Sequence, residues 1–158
     1  MESTDVRVRN ADAKDRAFIL GLVPELVAFG PPAWRNGREM IATDTQVIDD
    51  ALAGRTEGAT VLIAEDAQGA PLGFIHLSGE RDYYLQQTCG HVGDIVVSPE
   101  ARGRGVGRAL LAAGERWARG CGYRLLTLNV FVQNRGPQAL YEEGGFSAEA
   151  IKYVKMLS

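Results

Sequence analysis

A stretch rich in glycine and arginine carries the residue types best suited to hold a polyanion. It reads RGRGVGR from Arg102 to Arg108, follows a β-rich segment and precedes an amphipathic helix. Glycines let the backbone turn until successive N–H groups point into one concavity. The helix adds unpaired N–H groups and the positive end of its dipole, and the arginines add bidentate donors. The stretch therefore predicts a phosphate site, with pyrophosphate as the ligand that fits it best.

Two other nucleotide-binding motifs do not fit these residues. A P-loop needs a lysine after its last glycine, and no lysine follows these glycines. The dinucleotide fingerprint G-x-G-x-x-G would end at Arg108 or at Leu110 instead of at a glycine. A bare arginine cluster is also typical of a solvated loop, but the interleaved glycines and the following helix favour the phosphate site.

The elements around this stretch predict a mixed sheet with helices on both faces. Their chain order is β-α-α-β-β-β-α-β-α-β, read from period-two patterns in strands and from helical spacing of apolar residues. Pro24 is expected to interrupt the first helix, and Gly69 to lie in a hairpin turn. The predicted segments are approximately 6–8, 19–26, 38–53, 60–64, 72–77, 92–97, 106–120, 125–132, 134–144 and 146–156.

Length and composition favour one globular domain over residues 1–158. The chain has 46% hydrophobic and 23% charged residues and a net charge of -3, which argues against a nucleic-acid binder. No apolar run is long enough to span a bilayer, and the N-terminus shows no signal-peptide pattern. Cys89 and Cys121 are too few for a disulfide framework or a metal site. We expect a cytoplasmic protein with no metal and no membrane contact.

Two motifs in the second half of the chain resemble those of one known family. Residues 102–107 fit the pattern R/Q-x-x-G-x-G/A, and Asn134, Tyr141 and Phe146 fit N-x6-Y-x3-G-F. Both patterns, at this separation, resemble the GNAT superfamily of N-acetyltransferases, most clearly over residues 90–157. Pro137 departs from the small residue that is usual in the family. The resemblance implies an α/β fold with a central, mostly antiparallel sheet of six to seven strands. That sheet would be splayed between strands 4 and 5, with about four helices on its two faces.

The resemblance also implies acetyl-CoA as the acyl donor. The amides of the glycine-rich stretch would bind the pyrophosphate, and the fourth strand would pair with the pantetheine arm as a sheet edge pairs with an added strand. Asn134 would hydrogen-bond the pantetheine or the backbone beside it. The residues expected to bind the donor are Ile95, Val96, Val97, Arg102, Gly103, Arg104, Gly105, Val106, Gly107, Arg108, Asn134 and Tyr141.

Acetyl transfer to an amine requires further groups that act on protons and on the acetyl carbonyl. The amine must lose its proton, which at pH 7 costs roughly 4 kcal/mol for a pKa near ~10, at about 1.36 kcal/mol per pKa unit. By the resemblance, Tyr141 would give a proton to the leaving thiolate, and an N–H of Val96 or Val97 would polarise the acetyl carbonyl. The alternative for Tyr141 is a side chain that only packs its helix against the sheet.

Asp94 is the candidate general base, acting through water. It lies on the strand predicted to approach the thioester, and in parts of the family an acid at or beside this position has that role. Gly93 stands where some relatives carry a glutamate, so that base is absent here. Asp94 could instead order the backbone at a strand irregularity. The alternative bases are Glu80, Asp82 and His76, while His91 either faces the cleft or is simply packed or solvated.

Aromatic and acidic residues suggest where the acceptor binds. By the resemblance, the loop from Phe29 to Trp34 shapes the acceptor site, unless it is only a packed surface loop. Tyr83 and Tyr84 either line that pocket or fill a hairpin. A group of acidic residues favours a cationic acceptor, unless these side chains are merely solvated. They are Asp44, Asp49, Asp50, Glu80 and Asp82.

Three hypotheses on function are open from the sequence. The leading one is an N-acetyltransferase that acts on a primary amine of a small molecule or peptide by direct attack on the thioester. The second is an acyl-CoA-binding sensor without turnover, against which the presence of Tyr141 argues. The third is a phosphate-binding module unrelated to CoA, which leaves the segment 134–146 unexplained. Family habit also implies a homodimer, with the C-terminal strands as one interface.

Overall fold

The computed structural model describes residues 5–158, which form a mixed α/β fold around one sheet. Neighbouring strands are antiparallel, except that β4 and β5 are parallel. The strands lie side by side in chain order: β1 (Arg7–Asn10), β2 (Thr60–Glu65), β3 (Pro71–Asp82), β4 (Gln87–Val97) and β5 (Leu126–Leu128). The helices are α1 (Arg16–Leu22), α2 (Gly37–Leu52), α3 (Val106–Gly120) and α4 (Gln138–Glu143). The predicted fold class is confirmed.

Helices cover both faces of the sheet, each face with its own apolar cluster. Leu110 of α3 belongs to one cluster together with Ile75 of β3. Ile19 of α1 and Ile48 of α2 belong to the other, together with Phe74 of β3. Successive strand residues point to opposite faces, so Phe74 and Ile75 serve opposite layers. This layering fixes α2 above one face of β4 and α3 below the other.

Two local signals set the helix ends on the α2 side, and the sequence predicted the first of them, the interruption at Pro24. Pro24 interrupts the first helix, and the chain continues from α1 into a 3-10 turn over Val23–Val27. Asn36 caps α2, because its side chain accepts a hydrogen bond of 3.1 Å from the backbone N–H of Glu39. The loop between these two helices is therefore held at both ends.

β4 and β5 separate after three paired positions. β5 pairs only with Gly90–Val92 of β4. At the next residue the register of β3 and β4 shifts, because Leu77 pairs with Val92 while His76 pairs with Asp94. Gly93 is left as an extra residue, and such a bulge bends its strand. Residues 93–97 consequently have no neighbour in β5, which confirms the predicted splay.

The structure corrects four details of the sequence prediction. Within residues 5–158 the sheet has five strands instead of six to seven. The strand predicted over 125–132 is confined to β5, because β4 bends away from it, and the helix predicted over 134–144 begins only after Pro137. Residues 146–156, predicted to supply closing strands, form none. Among residues 5–158, no strand lies beside them to share hydrogen bonds.

Candidate active site

The splay between β4 and β5 opens a cavity of about 1010 Å³. One of its walls is the edge of Ile95–Val97 that faces away from β3. Residues 128–131, which leave β5, also line it. A strand edge with unpaired N–H and C=O groups can pair with an extended chain that carries amides. The predicted binding strand therefore lies at a cavity and has a free edge.

The glycine-rich loop borders a second cavity of about 440 Å³, which shares Val97 and Arg102 with the first. Gly103 and Gly105 both have a φ of 79°, a left-handed conformation that favours glycine. Gly105 caps α3 without any side-chain hydrogen bond, so the first N–H groups of the helix stay open to a ligand. At Gly107 the reason for glycine is space, because a Cβ would lie 2.9 Å from Cδ2 of Leu140.

Two of the three loop arginines are paired with carboxylates. Arg102 Nη2 lies 3.1 Å from Glu25 Oε1, and Arg108 pairs with Glu143 of α4. Arg104 forms no ion pair with any residue in the part of the chain that the structure describes. Exposed ion pairs are weak, and the side chains of Arg102 and Arg108 are more than half exposed. An anion in the loop could therefore displace the carboxylates.

Tyr141 of α4 lines the first cavity together with Asn134 and Asp94. Its ring packs edge-on against Phe146, with 6.2 Å between the ring centroids. Burial raises the pKa of the phenol, and the negative charge of Asp94 raises this pKa further. The phenol therefore keeps its proton at neutral pH, which is the state that a general acid requires.

Asp94 lines the cavity, and a buried histidine forms a hydrogen bond with its carboxyl group. His76 of β3 is buried, and its Nδ1 lies 3.0 Å from Oδ2 of Asp94. The two residues are cross-strand partners. The sequence offered them as alternative bases, whereas the structure joins them in one hydrogen-bonded pair.

A second carboxyl group, that of Asp44 on α2, also lines the cavity. Burial raises the pKa of Asp44 to about 6, and the charge of Asp94 contributes in the same direction. His76 acts in the opposite direction. Two carboxylates near one cavity repel each other, so the proton affinity of one depends on the charge of the other.

Aromatic side chains form another part of the cavity lining. Phe29 stacks on Phe131, with ring centroids 5.3 Å apart and planes inclined by 30°. Trp34 also lines the cavity and is 44% exposed. The loop from Phe29 to Trp34 thus borders the cavity, and its role in binding the acceptor stays a prediction.

Four candidate residues lie at the β3–β4 turn, outside both cavities. Tyr83 and Tyr84 are 79% and 86% exposed and pack edge-on against each other. Asp82 accepts hydrogen bonds from the backbone N–H groups of Tyr84 and Leu85. Glu80 lies 3.7 Å from the His91 ring. The structure therefore does not bring these side chains to the candidate site.

The remaining candidates have structural partners elsewhere. His91 Nδ1 lies 2.8 Å from Thr127 Oγ1, which links β4 to β5. Asp49 pairs with Arg16, and Asp50 pairs with Arg55. Of the acidic residues that the sequence singled out for a cationic acceptor, Asp44 is the one that lines the cavity.

Sequence reasoning missed Glu25, Glu39 and Phe131, which also line the cavity. Glu25 and Arg102 are separated by 77 positions in the chain, so no local pattern predicts their contact. Phe131 lies in the segment predicted as a strand, where an aromatic side chain gives no sign that it faces a cleft. Glu39 lies in the first turn of α2, and this local position does not indicate a cavity.

A comparison with known protein families adds to this geometry. Residues 25–146 match the model of the Acetyltransferase (GNAT) family. The chain belongs to the GNAT acetyltransferase family. The matched range begins at Glu25 and ends at Phe146, and thus includes β4, the glycine-rich loop and α4.

Individual relatives of this GNAT chain are N-acetyltransferases. It is 33% identical over 127 residues to an aminoglycoside N(6')-acetyltransferase type 1 of Stenotrophomonas maltophilia, covering 78% of this chain and 79% of that one. It is 32% identical over 146 residues to an uncharacterized N-acetyltransferase of Bacillus subtilis, covering 91% of each. Its fold matches that of AAC(6')-Iy in complex with a CoA bisubstrate analog, with a TM-score of 0.71 and 24% identity. The match covers 96% of this chain and 98% of that one. The chain is therefore an acyltransferase of the N-acetyltransferase class.

Two further findings concern the described residues only. Within residues 5–158, no group of three or more His, Cys, Asp or Glu side chains is arranged to hold a metal ion. None of the helices in that range combines the length and the apolar character that crossing a membrane requires.

Proposed function

We propose that this GNAT enzyme transfers the acetyl group of acetyl-CoA to a primary amine of a small molecule or peptide, within one domain over residues 1–158. One observation carries the proposal. A free strand edge, an open helix N-terminus and a protonated tyrosine border two cavities that share Val97 and Arg102. The family supports acetyl-CoA as the donor, and a neighbour in fold was crystallised with a CoA bisubstrate analog.

The residues present fit coenzyme A as a ligand. Gly103 and Gly105 give the loop its left-handed turns, and the open N-terminus of α3 suits a diphosphate. Arg104 is the loop arginine without a carboxylate partner among the described residues, so its charge is available to that anion. The free edge of Ile95–Val97 would pair with the amides of the pantetheine arm, and Asn134 lies on the same cavity.

Different groups around the cavity have different roles in the reaction. Bound acetyl-CoA supplies a thioester whose carbonyl carbon the amine attacks. Asp94 takes one proton from the acceptor ammonium, directly or through water, and so frees the lone pair that forms the C–N bond. Tyr141 donates its phenolic proton to the thiolate sulfur when the C–S bond breaks. It regains a proton through solvent when the amide nitrogen loses its second one, so one proton is released overall. An N–H of Val96 or Val97 stabilises the charge on the acetyl oxygen.

The cavity lining favours an acceptor with positive charge. Asp44, Asp94 and Glu39 line it together with the ring of Trp34, and an aromatic face attracts a cation. Arg35 and Arg102 also line the cavity, and Arg102 is paired with Glu25. The relative from Stenotrophomonas maltophilia is named for aminoglycosides, which are amines of this kind. We therefore include small polyamines and amino sugars among the acceptors to be tested.

We also propose a homodimer that forms through the C-terminal segment. Ile151, Tyr153 and Leu157 are 66%, 91% and 88% exposed, and residues 147–158 belong to no strand. The outer edge of β5 has no strand neighbour within residues 5–158. The segment of a second copy could pair with that edge and cover these side chains. Light scattering coupled to size exclusion tests this state, and a monomer at micromolar concentration rules it out.

A cytoplasmic location completes the proposal. Cys89 and Cys121 are both free thiols, which suits a reducing compartment. Fluorescence microscopy of a tagged chain, with fractionation of the same cells, tests the location. Signal at the envelope or in the medium contradicts it.

An acceptor screen tests the enzymatic function. The intact chain is mixed with acetyl-CoA and a panel of primary amines, and release of the CoA thiol is followed. We expect turnover with cationic small amines, and formation of an acetylated product by mass spectrometry. Tight binding of acetyl-CoA without turnover on any amine supports the alternative, a non-catalytic acyl-CoA sensor. Absence of binding favours a phosphate-binding module unrelated to CoA.

A further inference from the structure

β3 places His76 directly behind Asp94, on the side away from the cavity. His76 is 4% exposed, and its Nδ1 lies 3.0 Å from Asp94 Oδ2. Asp94 lines the cavity, whereas His76 does not. An interaction of His76 with the acceptor amine would therefore pass through the Asp94 carboxylate.

The bulge residue Gly93 provides the space in which the His76 ring lies. A Cβ at position 93 would be 2.6 Å from Nδ1 and 3.0 Å from Cε1 of His76. Gly93 is not among the residues with a positive φ, so its backbone conformation does not demand glycine. The glycine is required because the imidazole occupies the place of a side chain.

The same cavity holds two carboxyl groups in different surroundings. Asp94 has the N–H donor of His76, while the carboxyl group of Asp44 accepts no hydrogen bond from residues 5–158. The charge of Asp94 and the burial of Asp44 both favour a proton on Asp44. A donor that stabilises the ionised form of one carboxyl group favours protonation of the other, because two neighbouring negative charges repel each other.

We propose that His76 is a positioning residue that selects Asp94, and not Asp44, as the carboxylate that takes the proton from the acceptor amine. This inference rests on the proposed function. Nδ1–H donates to Oδ2 and fixes the carboxylate plane. Oδ1 accepts no hydrogen bond from the described residues and remains available to the amine or to a bridging water. The N–H bond of the ammonium breaks, its proton goes to Asp94, and from there it leaves to solvent.

The pH dependence of this step involves groups from three elements packed around Asp94. His76 of β3 reaches Asp94 through the hydrogen bond, while Asp44 of α2 and Tyr141 of α4 feel its charge. The other charged residues that line the cavity are Glu25, Arg35, Glu39 and Arg102.

Two substitutions at position 76 separate hydrogen bonding from packing. His76→Leu removes the donor, whereas His76→Asn keeps an N–H donor close to the place of Nδ1. We expect His76→Leu to lower kcat/KM for the amine by about 10²-fold, the lower end of a general base contribution. The acid limb of its pH profile should move to higher pH, and His76→Asn should restore most of both effects. The affinity for CoA should stay unchanged in both variants. His91→Leu, at the other buried histidine, is the matched control and should keep the wild-type profile.

Gly93→Ala tests the same idea without removing a polar group. The new methyl group displaces the His76 ring, so this variant should show the loss of kcat/KM and the shifted acid limb of His76→Leu. If the His76→Leu protein does not fold, Gly93→Ala tests the role of His76 in its place. The chemical shift of the Asp94 carboxyl carbon, measured by nuclear magnetic resonance, adds a readout that needs no turnover. Loss of the hydrogen bond from Nδ1 should move this signal in His76→Leu and Gly93→Ala relative to the wild type.

The outcomes that overturn this proposal differ from those that overturn the function. If the wild type turns over an amine and His76→Leu or Gly93→Ala keeps its rate and pH profile, His76 does not position the base. The same conclusion follows if His76→Asn is as impaired as His76→Leu, or if the chemical shift of the Asp94 carboxyl carbon does not move. If the wild type acetylates no amine, the proposed function fails, while the chemical shift of the Asp94 carboxyl carbon still tests the contact with His76.

Discussion

Arg102 in the glycine-rich loop and Glu25 after α1 form an ion pair of 3.1 Å across 77 positions of the chain. Both residues line the larger cavity, and Arg102 also lines the smaller one. The pair therefore connects the proposed donor site to the proposed acceptor site. Binding of a diphosphate at Arg102 would compete with Glu25 for the guanidinium group.

Removal of the competing carboxylate should tighten CoA binding. We expect Glu25→Gln to raise the affinity for CoA by up to about fivefold, because exposed ion pairs are worth about 0.2–1 kcal/mol. Isothermal titration calorimetry measures this change. Glu57→Gln is the matched control, since Glu57 is exposed and has no ion pair among the described residues. Unchanged or weaker binding in Glu25→Gln would show that Arg102 does not contact the ligand.

The left-handed turn of the loop should tolerate only glycine. Gly103 has a φ of 79°, and a Cβ at this position would have no neighbouring atom within 4 Å, so alanine there meets backbone strain alone. This strain costs about 1–2 kcal/mol, and we expect Gly103→Ala to lower both the melting temperature and the affinity for CoA. Gly21→Ala in α1 is the control, because its φ is not positive and its surroundings are open. It should leave CoA affinity unchanged, and equal affinity in the two variants would contradict the role of the loop.

Loss of the phenolic proton of Tyr141 should slow the chemical step and leave substrate binding unchanged. Tyr141→Phe keeps the ring contact with Phe146 but removes the hydroxyl group. A general acid typically contributes about 10²–10⁴-fold, so we expect kcat to fall within that range while the KM values for both substrates change little. Steady-state kinetics with an amine from the screen measures this, with Tyr153→Phe as control because Tyr153 is 91% exposed. An unchanged kcat would remove Tyr141 from the mechanism.

Asp44 should make the protein less stable as the pH rises. Its pKa in the folded chain is about 6, above its ordinary value of 3.8, so the folded state holds this proton more tightly than the unfolded state. The resulting stabilisation is fully present below about pH 3.8 and is lost as the pH rises through about 6. Asp44→Asn cannot ionise, and we expect its melting temperature relative to wild type to be higher at pH 7.5 than at pH 4.

A carboxylate with the opposite shift provides the control for Asp44. The ion pair with Arg16 lowers the pKa of Asp49, so its contribution to stability is present at neutral pH and is lost as the pH falls. Asp49→Asn should therefore lose stability relative to wild type at pH 7.5 and approach it in acid. If both variants respond to pH in the same direction, the assignment for Asp44 is wrong.

The parts of the fold that depend on local chemistry could be predicted from the sequence. Glycines with a required φ and the regular apolar spacing of α3 define the loop and its helix without reference to the rest of the chain. The short β5 could not be predicted in this way, because its length depends on where β4 bends at Gly93. A bulge changes the pairing of one residue and leaves the composition of the strand unchanged.

Contacts across the fold account for what was missed at the site. His76 and Asp94 were both named as bases, but their hydrogen bond follows from the register of β3 and β4. The influence of Asp94 on Asp44 depends on how α2 lies over the sheet. The closing strands predicted over 146–156 do not form for a related reason. Alternating residues favour a strand, but a strand also needs a neighbouring strand to share its hydrogen bonds.

An amide nuclear magnetic resonance titration measures whether the loop from Arg102 to Arg108 holds the diphosphate of coenzyme A. The intact, isotope-labelled chain is titrated with CoA and, in a parallel sample, with pantetheine, which lacks the diphosphate. We expect the amides of residues 103–108 to shift with CoA and not with pantetheine, and those of Ile95–Val97 to shift with both. Saturable CoA binding that leaves the amides of residues 103–108 unmoved would contradict this role of the loop.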